Sequence, residues 1–213
     1  GQQEGEAYGQ LSVRERAVLQ LGQACRIDLR HHRQVARLAL CLFDSARSLG
    51  LHGLDDAARE LLEHAAMLHD VGAFLSYSRH QQHSHYLIAN AELLGFHQRE
   101  TAIIAALARF HRRGLPAADQ PELASLDPAG RLLVQQASLL LRLAELLDRS
   151  HAGRVSEARF EAGPGKGLRL RVRPAGPEGC QLEVWGLVGQ ERAFERVFGR
   201  ALAVALDEAL SPP

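Results

Sequence analysis

His69 and Asp70 stand side by side at the end of the segment AARELLEHAAMLHD, which Val71-Gly72 closes. An imidazole nitrogen and a carboxylate oxygen offered from adjacent residues at a helix end can reach one cation. Two letters alone recur often by chance, so the weight lies in their company. His31 aligns with Val35, Leu38 and Leu42, and His69 with Ala58, Leu62 and Ala65. His111 aligns with Ile104 and Leu107, and Glu145 and Asp148 with Val134, Ala137 and Leu141, while His83 precedes Leu87 and Ala91. Each of these polar groups thus extends an apolar, core-facing helical stripe. Such groups on separate helices converge inside a bundle, where burial is tolerable only if they are hydrogen-bonded or hold a cation.

Any one of them is more readily a core-edge histidine bonded to a backbone carbonyl; the set is harder to explain that way. Eleven histidines in 213 residues include bystanders, and His52, His64, His97 and His151 read as surface or loop residues. His32 points about 100° away from His31 on a helix, toward Ala36 and Phe43, which favours His31. The positive charge is almost all guanidinium, since Lys166 is the one lysine. Arg79, Arg109, Arg112, Arg113, Arg142 and Arg149 lie near these motifs, and guanidinium matches phosphate oxygens bidentately.

The elements that must position these groups are helices. Apolar spacing of three and four predicts helices near 12–24, 28–49, 55–70, 82–94, 98–112 and 129–149, with breaks at Gly50, Gly72, Gly95, Gly114 and Pro128. Past His151 the texture changes. Val155 to Phe160, Leu168 to Val172 and Gln181 to Leu187 read as strands between GPGKG and PAGPEG turns, and an amphipathic stretch at 190–209 reads as a last helix before Pro-Pro. The expected fold is mainly α: a helical bundle over 1–150 and a small C-terminal α+β lobe over 151–213, with short antiparallel strands and one helix.

Bulk properties narrow the function classes. With 46% hydrophobic and 23% charged residues the chain is ordinary globular material. Its 25 basic and 25 acidic residues cancel, which argues against a bulk grip on nucleic acid or an anionic membrane. Cys25, Cys41 and Cys180 are odd in number and far apart, which suits a reducing cytoplasm and no paired-cysteine zinc site. Apolar runs are interrupted by Arg, His or Asp before spanning length, so no membrane segment is expected. The start Gly1-Gln2-Gln3, without methionine, suggests a larger parent polypeptide.

Five ordered motifs, RHHRQVARLAL, AAMLHDVG, RHQQHSHYLIANAELLGF, ARFHRRG and LLRLAELLDRSH, resemble the HD-superfamily domain in the C-terminal region of exopolyphosphatase/guanosine-pentaphosphatase (Ppx/GppA) proteins. The resemblance runs over roughly residues 12 to 205. It implies a divalent-metal phosphohydrolase site whose ligands map onto His31, His69, Asp70 and the LAELLD segment. There Ala144 is followed by Glu145 where the superfamily usually has aspartate, and Asp148 lies one turn on, so either carboxylate is a candidate for the last ligand. His83 and His111 match positions that complete a second site in two-metal relatives.

Imidazole and carboxylate ligation without thiolate favours manganese or magnesium, with iron or zinc as alternatives, one or two ions in all. Such a cation lowers the pKa of bound water and neutralises phosphoryl charge, with Asp70 as the catalytic carboxylate bridging metal and nucleophile. Arg79, Arg109, Arg112 and Arg142 are the candidates for substrate phosphates. Two functions follow: a metal-dependent phosphohydrolase acting on a nucleotide or polyphosphate-like molecule, or a non-catalytic polyphosphate-binding, dimerising or regulatory module of an exopolyphosphatase whose actin-like catalytic domain is not in this chain. The apolar last helix is a candidate homodimer surface.

Overall fold

The computed structural model describes residues 10–117 and 119–207. Helix starts follow local chemistry. Helix α1 (Val13–Ala24) opens on a capping box in which Ser12 Oγ accepts from the Glu15 N–H at 3.1 Å and Glu15 accepts from the Ser12 N–H at 2.7 Å. Helix α2 (Leu29–Ser48) begins at Asp28, whose carboxylate accepts from the N–H groups of Arg30 and His31 and so orders the turn that carries His31. Helix α3 (Asp56–Leu68) starts at the Asp55 cap and runs into His69, still helical in its dihedrals. A 3₁₀ turn, Val71–Phe74, follows Asp70. Helices α4 (His80–Ala89), α5 (Gln98–Phe110) and α6 (Pro128–Leu146) complete the bundle. Asp127 caps α6, and Pro128 takes the first helical position, where its missing N–H costs nothing.

Helix α2 packs on α3 and α6, and α5 on α3 and α6. Their facing stripes make the core: Leu38, Leu42, Leu62, Ile104, Leu107 and Leu141 are fully buried. No helix among the described residues is long and apolar enough to cross a membrane.

Beyond the bundle, β1 (Val155–Ala162) pairs antiparallel with β2 (Leu168–Pro174), Phe160 opposite Leu170. The sheet lies on α2. The Phe160 N–H donates to Ser45 Oγ at 3.1 Å, and the Gln34 amide donates to the Val155 carbonyl at 2.7 Å. Ala158, Phe160, Leu170 and Val172 therefore continue the helical core.

The mainly α architecture with a small α+β lobe stands as expected, but the lobe differs in two details. Gln181–Leu187, expected as a strand, forms helix α7. Its buried Glu183, Gly186 and Leu187 recur at three and four, and Glu183 accepts from the Ser150 N–H at 3.1 Å, which anchors the segment on the end of α6. The expected helix 190–209 divides. Helix α8 (Glu191–Phe198) stops at Gly199, whose φ of 67° is left-handed, and β3 (Leu202–Leu206) then adds parallel to β2, Leu168 opposite Leu202. The open edge of β2 supplies ladder partners that a longer helix would forgo, so the three-stranded sheet is mixed and the lobe carries two helices. Residues 208 and 209 of that expected helix, and the closing Pro-Pro, lie outside the described residues.

Candidate metal centre

Four imidazoles and two carboxylates from five separate segments meet in the bundle interior. One group comprises His31 from α2, His69 and Asp70 from the end of α3, and Glu145 from the last turn of α6. A second comprises Asp70, His80 from the start of α4, and His111 just past α5. Within each group one donor atom per residue lies within 4.8 Å of the others, and Asp70 belongs to both.

The ring tautomers follow from what each Nδ1 meets. His69 Nδ1 lies 2.7 Å from the Ala66 carbonyl and His111 Nδ1 lies 2.6 Å from the Ala108 carbonyl. A carbonyl oxygen only accepts, so both Nδ1 atoms carry the hydrogen. His31 Nδ1 likewise donates to Asp148 Oδ2 at 2.7 Å. Every Nε2 is thereby turned inward. His31 Nε2 lies 3.1 Å from Glu145 Oε2, His80 Nε2 lies 2.9 Å and His111 Nε2 lies 3.3 Å from Asp70 Oδ1, and His69 Nε2 lies 3.7 Å from both carboxylates.

Five of these inward atoms, His31 Nε2, His69 Nε2, His111 Nε2, Asp70 Oδ1 and Glu145 Oε2, are buried without a hydrogen-bond partner of good geometry. Left so, each costs about 1–3 kcal/mol. Nitrogen lone pairs and carboxylate oxygens converging on one point repel one another as acceptors, and either protons on the rings or a cation between them removes the conflict. The nitrogen and oxygen donor set suits a divalent cation of the manganese, magnesium, iron or zinc kind.

The electrostatics point the same way. Burial penalises the Asp70 carboxylate, yet the charge of His69 and the close His111 and His80 rings hold its pKa far below the usual range. Glu145 is held low against the same burial penalty by His31 and His69. Burial would lower His31, but Asp148 and Glu145 together raise it to about 9. Asp70 and Glu145 keep 20% and 21% of their side chains exposed, so the centre opens to solvent on the carboxylate side.

The two carboxylates of α6 are thus sorted. Glu145 enters the first group, whereas Asp148 stays behind His31, accepting from its Nδ1 and from the Gly153 N–H at 2.9 Å. His32 also stands outside: its Nδ1 bonds the Met67 carbonyl at 2.9 Å, and burial pushes its pKa down to about 3, a neutral ring packed 4.5 Å from that of His69.

Three expectations need correction. His83 is not brought to the second group; His80 is. The 3₁₀ turn decides this, because the Gly72 N–H donates to Ser84 Oγ at 2.9 Å and a Cβ on Gly72 would lie 2.2 Å from the His80 carbonyl oxygen. Only a glycine lets α4 approach so closely. The overlooked signal was the buried series His80, Ser84, Ile88 at spacing four. Arg109 does not face the centre as a free guanidinium, since its Nε is paired with Glu122 at 2.8 Å. His52 and His64 are buried rather than superficial, His52 bonding the Phe43 carbonyl at 2.9 Å and His64 facing Glu60 at 3.3 Å.

Of the other arginines, Arg79 is an exposed N-cap residue with a left-handed φ of 54°. Arg112 reaches Tyr77 Oη at 3.3 Å, and the buried Arg142 donates to the carbonyls of Phe110 and Gly114. Arg112 and Arg142 line, with His111 and Glu145, a cavity of about 200 Å³ at the mouth of the centre. His151, read as a loop residue, stacks on His31 with ring centroids 3.6 Å apart.

Residues 13–187 match the family described as Ppx/GppA phosphatase, domain III. Among curated proteins, the guanosine-5'-triphosphate,3'-diphosphate pyrophosphatase of Vibrio vulnificus (strain YJ016) is 29% identical over 150 residues, covering 68% of this chain and 29% of its own length. The protein of that name from Pseudoalteromonas translucida (strain TAC 125) is 29% identical over 154 residues, 68% of this chain and 29% of its own. That from Vibrio parahaemolyticus serotype O3:K6 (strain RIMD 2210633) is 31% identical over 143 residues, 65% of this chain and 27% of its own. The chain thus spans under a third of the length of the curated relatives it matches.

Proposed function

This chain belongs to the Ppx/GppA phosphatase domain III family, and from that premise we propose that its histidine and carboxylate centre is an HD-superfamily, divalent-metal phosphohydrolase site acting on a nucleotide or polyphosphate-like substrate. The observation that carries the reading is the set of five buried, partnerless nitrogen and oxygen atoms aimed at one another. A domain kept only for packing has no physical need of such a set.

His31, His69, Asp70 and Glu145 would hold one ion, and Asp70, His80 and His111 a second, with manganese or magnesium favoured and iron or zinc as alternatives. A bound cation supplies a water of lowered pKa and neutralises charge on a phosphoryl group. The chain's own residues do the rest. Asp148 holds His31 in the tautomer that presents Nε2. Asp70, ionised and shared by both groups, is the proposed catalytic carboxylate, and Arg112 and Arg142 stand where substrate phosphates would enter. The activity for which the relatives are named puts a guanosine nucleotide first among candidate substrates, and a cytoplasmic setting would supply one.

A second reading is favoured by the share of the relatives that the chain spans, 29% of the first of them. In it the domain is a non-catalytic module that binds polyphosphate, dimerises or regulates an exopolyphosphatase whose actin-like domain does the hydrolysis. Elemental analysis of protein purified without a chelating tag and supplied with Mn²⁺, followed by phosphate release from GTP and tripolyphosphate, separates the two. The first reading expects stoichiometric metal and turnover. Metal without turnover leaves the second, and absence of stoichiometric metal overturns the metal centre itself.

A further inference from the structure

The cavity beside Glu145 is walled by four guanidinium groups, and that carboxylate is the one acid in its lining. Arg112, Arg113, Arg142 and Arg149 line it, and none of the four is in an ion pair among the described residues. Arg142 is only 6% exposed and its Nε is buried without a partner. Four guanidinium groups against one carboxylate leave net positive charge in a concave site, which is suited to phosphate oxygens.

One edge of this wall is aromatic. The guanidinium carbon of Arg149 lies 5.4 Å from the ring centroid of Trp185, the single tryptophan of the chain, whose side chain is 65% exposed. Trp185 is not on a loose loop. Helix α7 is seated on the end of α6, with Gly186 packed against the Leu146 and Arg149 side chains. Glu183, buried, tethers the same turn to the Ser150 N–H. A large aromatic face is therefore held rigidly at the rim of a phosphate-sized cavity while most of it faces water.

Aromatic and guanidinium planes are the two surfaces on which nucleobases stack, and such stacking accepts any base because every base has a π-face. We infer that Trp185, together with Arg149, is a stacking platform for the base of a nucleotide whose phosphates occupy the arginine cavity, so that the site prefers nucleotides to linear inorganic polyphosphate. This rests on the phosphate-binding reading of the cavity given above and adds to it the class of ligand and the residue that selects it.

Equilibrium binding of GTP and of inorganic tripolyphosphate to the purified chain, its W185F variant and its W185A variant tests the platform. Wild type binds GTP more tightly than tripolyphosphate. W185A weakens GTP on the order of tenfold and leaves tripolyphosphate unchanged, W185F retains most of the GTP affinity, and GTP alters the fluorescence of the sole tryptophan. Tripolyphosphate binding with a GTP affinity indifferent to W185A overturns the platform and spares the phosphate cavity. Failure of both ligands to bind wild type overturns both. A wild-type dimer that W185A converts to monomer, with GTP affinity unchanged, would assign Trp185 to a protein interface instead and equally overturn the platform.

Discussion

Asp148 lies behind His31, accepting from its Nδ1 at 2.7 Å, while the opposite edge of the same ring faces Glu145 at 3.1 Å. The two carboxylates of one helix end thus take different tasks, one aimed into the centre and one holding His31 from outside. Removing them should have different consequences. E145Q should abolish cation binding to the first group, whereas D148A should keep it with an affinity lower by about 10–100-fold. Titration with Mn²⁺ under calorimetry reads both, and equal losses would sink the division of labour.

Asp70 is the one side chain shared by both groups, so D70N takes the negative charge and one of the two carboxylate oxygens from them without changing shape. The expected outcome is loss of both ions and of any phosphatase activity, with far-UV circular dichroism unchanged because the helices are capped and packed independently of this carboxylate. A D70N protein that is globally unfolded would instead make Asp70 a structural core group.

A proton and a bound cation would compete for His31. Its folded pKa, about 9 against an ordinary 6.5, is raised by Asp148 and Glu145 over the opposing effect of burial. A raised pKa means that protonated His31 stabilises the metal-free fold fully below about pH 6.5 and that this contribution fades as pH climbs through about 9. Urea midpoints of metal-free protein should therefore fall over that window. Cation affinity should move the other way, rising with pH as the proton becomes easier to displace. An affinity flat from pH 6.5 to 9 contradicts the assignment of His31 Nε2 as a donor.

Gly72 is a steric requirement rather than a flexible joint. An alanine Cβ there would lie 2.2 Å from both the His80 carbonyl oxygen and the Ser84 nitrogen, atoms of backbone that cannot swing aside. G72A should destabilise the fold by at least about 1–3 kcal/mol in chemical denaturation, and should cost the second group its His80. H80A should lower metal stoichiometry or affinity without the stability loss, which separates the two effects.

The bundle was legible before any coordinates because helical periodicity, caps such as Asp28 and Asp127, and glycine breaks are all written within a few residues of where they act. His31, His69, His111 and Glu145 were legible for the same reason, since each extends an apolar stripe on its own helix, and Asp70 by its place beside His69. The lobe was less so. Leu202 to Leu206 can continue an amphipathic helix or alternate as a strand, and the choice falls to the open edge of β2, some thirty residues earlier in the chain. Gln181–Leu187 is short enough to fit either period until Glu183 finds the Ser150 N–H.

Within the centre, sequence alone determined which residue types sit on core-facing stripes, because that depends on position along one helix. It pointed to His83 where the packing brings in His80, and it left Glu145 and Asp148 both open. Those choices depend on rotation and approach between elements: Gly72 lets α4 close until His80 meets Asp70, and His31 enters with Nε2 toward Glu145 and Nδ1 toward Asp148. A stripe places a side chain toward the core, but only the packing of helix on helix settles which of two neighbouring groups reaches the common point.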